Sequence, residues 1–265
     1  MANWLLNLPV IWMTVVVLGV VYLFTAALYL LITKLAVDNR ARAFKAISPG
    51  MLPPMAVIFA LLVGFLAAQV WSDADRANAA VNREASALRE VVILANGFSA
   101  ESEQRLREFV RRHIQEAVSK EWPAMARGEA TLAIVPPALA ESVRLALRLH
   151  PQDEGQTIAQ REIVASLQSA LEARRQRILL SRSSINWVKW TALLLQATLT
   201  LVTIALVHSD NRVANRLILT IFATGVGMSV VLLASHSRPF TGEISVSPAV
   251  ILQVMPEATA PTQEP

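Results

Sequence analysis

The chain has 265 residues, of which 54% are hydrophobic and only 17% charged, with a net charge of +4 and no cysteine; its mean hydropathy is +0.45. Soluble domains carry roughly a quarter charged residues, so a disordered chain, a collagen-like fibre and a mostly solvated domain are excluded. So are disulfide scaffolds, Cys-ligated metal sites and thiol nucleophiles, and the small, dispersed positive excess argues against nucleic-acid binding.

The charges are segregated. Residues 73–182 hold 16 Lys/Arg and 15 Asp/Glu, 31 of the 44 charged side chains. The chain therefore alternates apolar stretches with one water-loving insert.

Residues 8–33 contain no charge. A helix of that length spans ~39 Å at 1.5 Å per residue and crosses a ~30 Å hydrocarbon core with tilt. Nothing basic precedes it and it exceeds a signal-peptide core, so it reads as a retained span, with Trp4 and Trp12 as interfacial anchors. The following loop, 34–50, carries Lys34, Arg40, Arg42 and Lys45.

A second charge-free span covers 51–71. Pro53 and Pro54 sit in its first turn, where a missing N–H costs nothing, and Gln69 is its one strongly polar side chain. Ala77, Val81, Leu88 and Val91 then repeat at helical spacing with no breaker. Span two is therefore predicted to continue out of the membrane as one long helix, stopped by Asn96-Gly97.

Ser99 and Ser102 offer N-caps for the next helix. Leu106, Phe109, His113, Ala117 and Val118 are expected on its apolar face, with its end before Pro123. Pro136-Pro137 opens a further helix through Leu139, Val143, Ala146 and Leu149, which His150-Pro151 closes. A fourth carries Ile163/Val164, Leu167, Leu171 and Ile178, a bundle-type seam, and leads through Ser183-Ser184 into span three.

Spans three (187–208) and four (213–235) complete the membrane set, with Trp187, Lys189 and Trp190 anchoring the start of the third. Gly225-Val226-Gly227, with Ala223 and Ser229, reads as a close-packing surface on span four. The Pro-rich, polar end, 256–265, reads as disordered.

The fold expected is all-α: an integral membrane protein with four transmembrane helices and an extramembrane helical bundle between spans two and three. By segment, 1–72 holds transmembrane helices one and two, and 73–185 the bundle continuous with spans two and three. Helices three and four occupy 186–236, and 237–265 is a C-terminal tail.

Chemistry is sparse. His113, His150, His208 and His236 lack any H-E-x-x-H partner. His113 reads as a packed core histidine, and His208 and His236 as polar caps at membrane ends. Glu101/Glu103 and Arg111-Arg112 read as a solvated helix face. There is no nucleophile elbow and no Gly-rich phosphate loop, so no enzymatic activity, metal or cofactor is expected.

The informative surface is span two. Val57, Leu61 and Phe65 stand at i, i+4 and i+8, beside the small residues Ala60, Gly64, Ala67 and Ala68. One reading is a lipid-facing or helix-packing stripe. The other is a hydrophobic constriction formed where several copies converge on an axis and gating by dewetting, with Asp73, Asp75 and Arg76 as a ring of charge at its mouth.

Four stretches resemble the bacterial bestrophin-like domain family: Val70-Trp71-Ser72 through Ala79-Ala80-Val81-Asn82-Arg83-Glu84-Ala85; Glu121-Trp122-Pro123-Ala124-Met125-Ala126; Ala173-Arg174-Arg175-Gln176-Arg177; and Arg238-Pro239-Phe240-Thr241-Gly242. The resemblance implies a four-span membrane protein with a helical insert. More distantly it implies bestrophins, pentameric ion channels with an apolar neck on the second span. Gly64-Phe65 is similar to the Gly-Phe at that neck, which would place Val57, Leu61 and Phe65 along the constriction. The Arg-Trp-Trp run that follows the bestrophin neck is missing, and Trp71 is followed by Ser72-Asp73-Ala74-Asp75-Arg76.

The function expected is a homo-oligomeric ion channel or channel-like protein of a bacterial inner membrane, with an inorganic ion as its permeant and a pentamer if the resemblance extends to assembly. The alternative is a non-conducting sensor or scaffold whose bundle binds a ligand or partner. Basic residues on the two faces nearly tie under the positive-inside rule. The bestrophin resemblance places the insert in the cytosol.

Overall fold

The computed structural model describes residues 8–35 and 49–257. The loop arginines Arg40 and Arg42, with Lys45, the anchor Trp4 and the end of the chain from 258 lie outside the described residues. In chain order the helices are α1 (Val10–Leu35), α2 (Leu52–Ala95), α3 (Ala100–Glu116), α4 (Trp122–Arg127), α5 (Pro137–Leu147), α6 (Glu154–Ser181), α7 (Trp187–Val207), α8 (Arg212–Ser235) and α9 (Ala249–Gln253). A π-helical turn, Ala117–Glu121, joins α3 to α4. The fold of the described residues is all-α, and α1, α2, α7 and α8 are long and apolar enough to cross a membrane.

The described residues pack as two compact units. One holds the chain up to Ser72 with Ser184–Arg238 and Gly242–Ile244; the other holds Asp73–Ser183 with Pro239–Thr241 and the chain from Ser245.

In the membrane unit α1 packs mainly on α8, and α7 contacts both. Met13, Val17, Leu66, Trp190, Leu193 and Val230 form one buried cluster, and Ile32, Leu201, Ile204 and Leu219 another. Asn186 caps α7 by accepting from the Lys189 N–H (3.0 Å). Asn211 caps α8 by accepting from Val213 and Ala214.

The two glycines of α8 differ. A Cβ at Gly227 would stand 2.5 Å from Leu18 Cδ2, whereas one at Gly225 would meet nothing within 4 Å. Of the two glycines, only Gly227 is needed for close packing, beside the buried Ala223.

In the bundle unit the distal part of α2 packs with α3, α5 and α6 around Val81, Leu88, Leu106, Leu139, Ile163 and Leu167. Ser99 accepts from the Ser102 N–H to start α3, and Asp153 accepts from the Gln156 N–H (2.7 Å) to start α6.

Four local expectations are corrected. The buried face of α3 is Leu106, Val110, His113 and Ile114, with Phe109 only half-buried. The chain also does not stop before Pro123. The π-turn inserts an extra residue, with the Trp122 N–H bonded to the Ala117 carbonyl. It lets Pro123 enter the first turn of α4, where its missing N–H is harmless.

Between α6 and α7 the helix is interrupted at 182–186. There Arg182 Nε donates to the Ala130 carbonyl (3.0 Å) and Asn186 restarts a helix, as short polar side chains do when they satisfy helix ends. Finally, part of the expected tail belongs to the bundle: Phe240, Val246 and Ile251 are buried in its core.

Candidate functional site

The bundle core is not purely apolar. Glu84 follows Ala77 and Val81 and precedes Leu88 and Val91 at alternating spacings of four and three along α2, which puts a carboxylate on the buried seam. His113 does the same on α3 between Val110 and Ala117, and Arg174 and Arg177 on α6 between Ala170 and Ser181. All four are buried. Glu121, carried by the π-turn, reaches the same place.

Arg177 Nε donates to Glu84 Oε2 (2.8 Å) and Nη2 to Oε1 (3.1 Å), a two-point pairing, while Nη2 also reaches Glu121 Oε2 (2.9 Å). The third nitrogen, Nη1, contacts Met125 Sδ at 3.6 Å. The guanidinium lies over the Trp122 ring, 4.4 Å from its centroid. Glu84 Oε1 also meets His113 Nε2 at 2.9 Å. On the other side Arg174 Nε donates to Glu121 Oε1 (2.7 Å) and Nη2 to the Ile134 carbonyl (3.3 Å).

Two carboxylates and two guanidiniums thus balance within one cluster, as burial demands, since an unpaired charge in a dry interior costs several kcal/mol. Glu84 lies well past Trp71, beyond the apolar span of α2. Burial favours its neutral acid, but the Arg177 charge and the His113 and Arg177 hydrogen bonds outweigh that and pull its pKa down to about 2. Burial likewise works against the charge on Arg177, and Glu84 and Glu121 reverse this and raise its pKa.

The stretches that carried the family resemblance meet here. The first contributes Glu84; the second Glu121, Trp122 and Met125; the third Arg174 and Arg177. From the fourth, the Phe240 ring meets Trp122 edge-on at 6.0 Å and Thr241 Oγ1 donates to the Ala126 carbonyl (2.8 Å). The Trp122 indole Nε1–H donates to the Val246 carbonyl (3.1 Å).

Beside the cluster opens a cavity of about 490 Å³, lined by Arg174, Glu121, Lys120, Ile134 and Ile178 among others. Each Glu121 oxygen accepts from one of the arginines. Among the described residues no group of side chains is arranged to hold a metal ion.

None of these charged residues stands out in the sequence as a site. The signal is nonetheless present: a Glu, a His and two Arg sit in core register on otherwise apolar seams.

The residues that the sequence does single out lie elsewhere. Val57, Leu61 and Phe65 share one uncovered stripe of α2, at 57%, 54% and 72% exposure. Of the charges after Trp71, Asp75 and Arg76 are exposed. Asp73 is half-buried and accepts a hydrogen bond from Ser183 Oγ (2.6 Å), so the three are not equivalent.

Comparison with known proteins agrees with this architecture. Solved structures share the fold, and two of them illustrate it. One is a membrane protein matched at a TM-score of 0.71, with 11% identity over 90% of this chain and 96% of that one. The other is a point-mutated bacterial bestrophin homologue from Klebsiella pneumoniae, at a TM-score of 0.65 and 12% identity over 88% of this chain and 96% of that one. No curated protein matches. The model of the bestrophin-like domain matches residues 19–251, and on that match the chain, a four-span membrane protein with a helical bundle, belongs to the bestrophin-like domain family.

Proposed function

We propose that the protein is a homo-oligomeric ion channel of a bacterial inner membrane, in which copies of α2 line an axial pore and the bundle lies on the cytoplasmic side. The observation that carries this reading is the stripe Val57, Leu61 and Phe65, which the rest of the chain leaves uncovered. Converging copies would bring it into a dewetting constriction of the kind that gates channels. Family membership supports the same reading.

Beyond the constriction, Asp75 and Arg76 supply exposed charge of both signs at the pore mouth, with Asp73 tied to Ser183. Such a mouth favours neither cations nor anions. The proposal includes no catalytic activity and no cofactor.

Particle images of the detergent-purified protein test the assembly. A pentameric ring with α2 innermost is expected; a monomer or dimer would refute it.

The second reading, a membrane-anchored sensor, is favoured by one observation, the cavity beside Arg174 in the bundle. That second reading is of a non-conducting protein, so a recorded conductance would refute it, whereas a ligand site fits either reading.

A further inference from the structure

We propose that the bundle cavity is a binding site for a small organic carboxylate with an apolar body. The site depends on Arg174. This side chain is only 6% exposed yet lines the cavity. Its Nε and Nη2 are engaged by Glu121 and the Ile134 carbonyl, while Nη1 has no hydrogen-bond partner among the described residues. The guanidinium is thereby fixed in orientation before any ligand arrives, which spares the ordering cost that a free arginine would incur on binding.

The other walls select for more than charge. Ala124, Ile134, Pro136 and Ile178 present apolar surface to the cavity. A hydrated inorganic anion would lose its water against those walls without compensation, whereas a carboxylate on an apolar body satisfies both surfaces. The volume of about 490 Å³ lies within the range of small-molecule sites.

Glu121 already gives an oxygen to each of Arg174 and Arg177, so a cation at the inner wall would compete with two guanidiniums for it. At the rim the charges pair among themselves: Glu116 with Lys120 at 3.7 Å and Glu129 with Arg127 at 2.7 Å. The inner cluster of Glu84, Glu121, Arg174 and Arg177 is charge-balanced, so an incoming carboxylate meets no net repulsion from it. The site stands whether or not α2 lines a pore.

The test is calorimetric titration of the full chain in detergent with sodium hexanoate and sodium benzoate, against protein-free micelles. Hexanol, benzyl alcohol and sodium chloride at matched ionic strength serve as controls. Saturable binding of the carboxylates and none of the controls is expected. Ile134→Asp places a like charge on the cavity wall while leaving the Ile134 carbonyl and the buried ion pairs in place, so it should weaken binding about tenfold.

Arg174→Lys should weaken binding in the same direction. Should that variant fail to fold, Ile134→Asp decides, since Ile134 is largely exposed. The proposal is overturned by the absence of saturable binding to either carboxylate, by equal binding of the alcohols, or by an affinity that Ile134→Asp leaves unchanged.

Discussion

Arg177 is completely buried, so Glu84 and Glu121 replace the water its guanidinium would otherwise keep. Removing one partner of such a pair leaves an uncompensated charge, at a cost of about 3–5 kcal/mol, whereas removing both can be close to neutral. Arg177→Met should therefore lower the thermal unfolding midpoint sharply, and adding Glu84→Gln should restore much of the loss. If the double variant is no better than the single, the pairing is not what holds the site. The acid side follows from Glu84. Its folded pKa of about 2 lies below the ordinary 4.5, so its contribution is complete above pH 4.5 and is lost as pH falls toward 2, on the order of 3 kcal/mol. Midpoints measured across that window should fall steeply in the wild type and less steeply in Glu84→Gln. These residues were the least legible part of the sequence. A charge on a seam looks like an interruption of an apolar pattern until the partners on two other helices and the π-turn are seen to converge on it.

The helices themselves were far more legible, because each is announced by its own residues. Ser99 caps α3, and the unbroken repeat after Trp71 makes α2 a single helix of 44 residues. At Pro123 and in the segment after Arg238 packing outweighs the local signal, whereas at 182–186 the helix breaks where the spacing alone would continue it. Pro123 reads as a stop, yet the π-turn carries the chain past it. Val246 and Ile251 read as tail, yet they complete the bundle core. Gly225 and Gly227 look equivalent in sequence, and only the approach of Leu18 separates them. Gly227→Ala should accordingly destabilise the membrane unit by about 1 kcal/mol, as overpacking does where a flexible neighbour can partly yield, while Gly225→Ala should be neutral. Thermal unfolding in detergent checks the pair, and equal effects would contradict the assignment.

On the scale of the whole molecule, hydropathy alone specified four spans, because an apolar, charge-free run of about 20 residues matches the thickness of the hydrocarbon core. The uneven charge specified the insert. Orientation was not legible, since basic residues flank both faces. With a cytoplasmic bundle and four spans, the chain should end in the cytoplasm, so a reporter fused at Pro265 should be active there and silent outside; the reverse would invert the topology. The stripe of α2 was legible as a pattern but not as a role, because apolar side chains facing lipid and facing a narrow pore have the same composition. Conductance separates the two. Recorded in planar bilayers, the purified wild-type protein should conduct, and Phe65→Ala, which trims the most exposed residue of the stripe, should raise the leak current; a silent wild type, or a current that Phe65→Ala leaves unchanged, would contradict the channel reading.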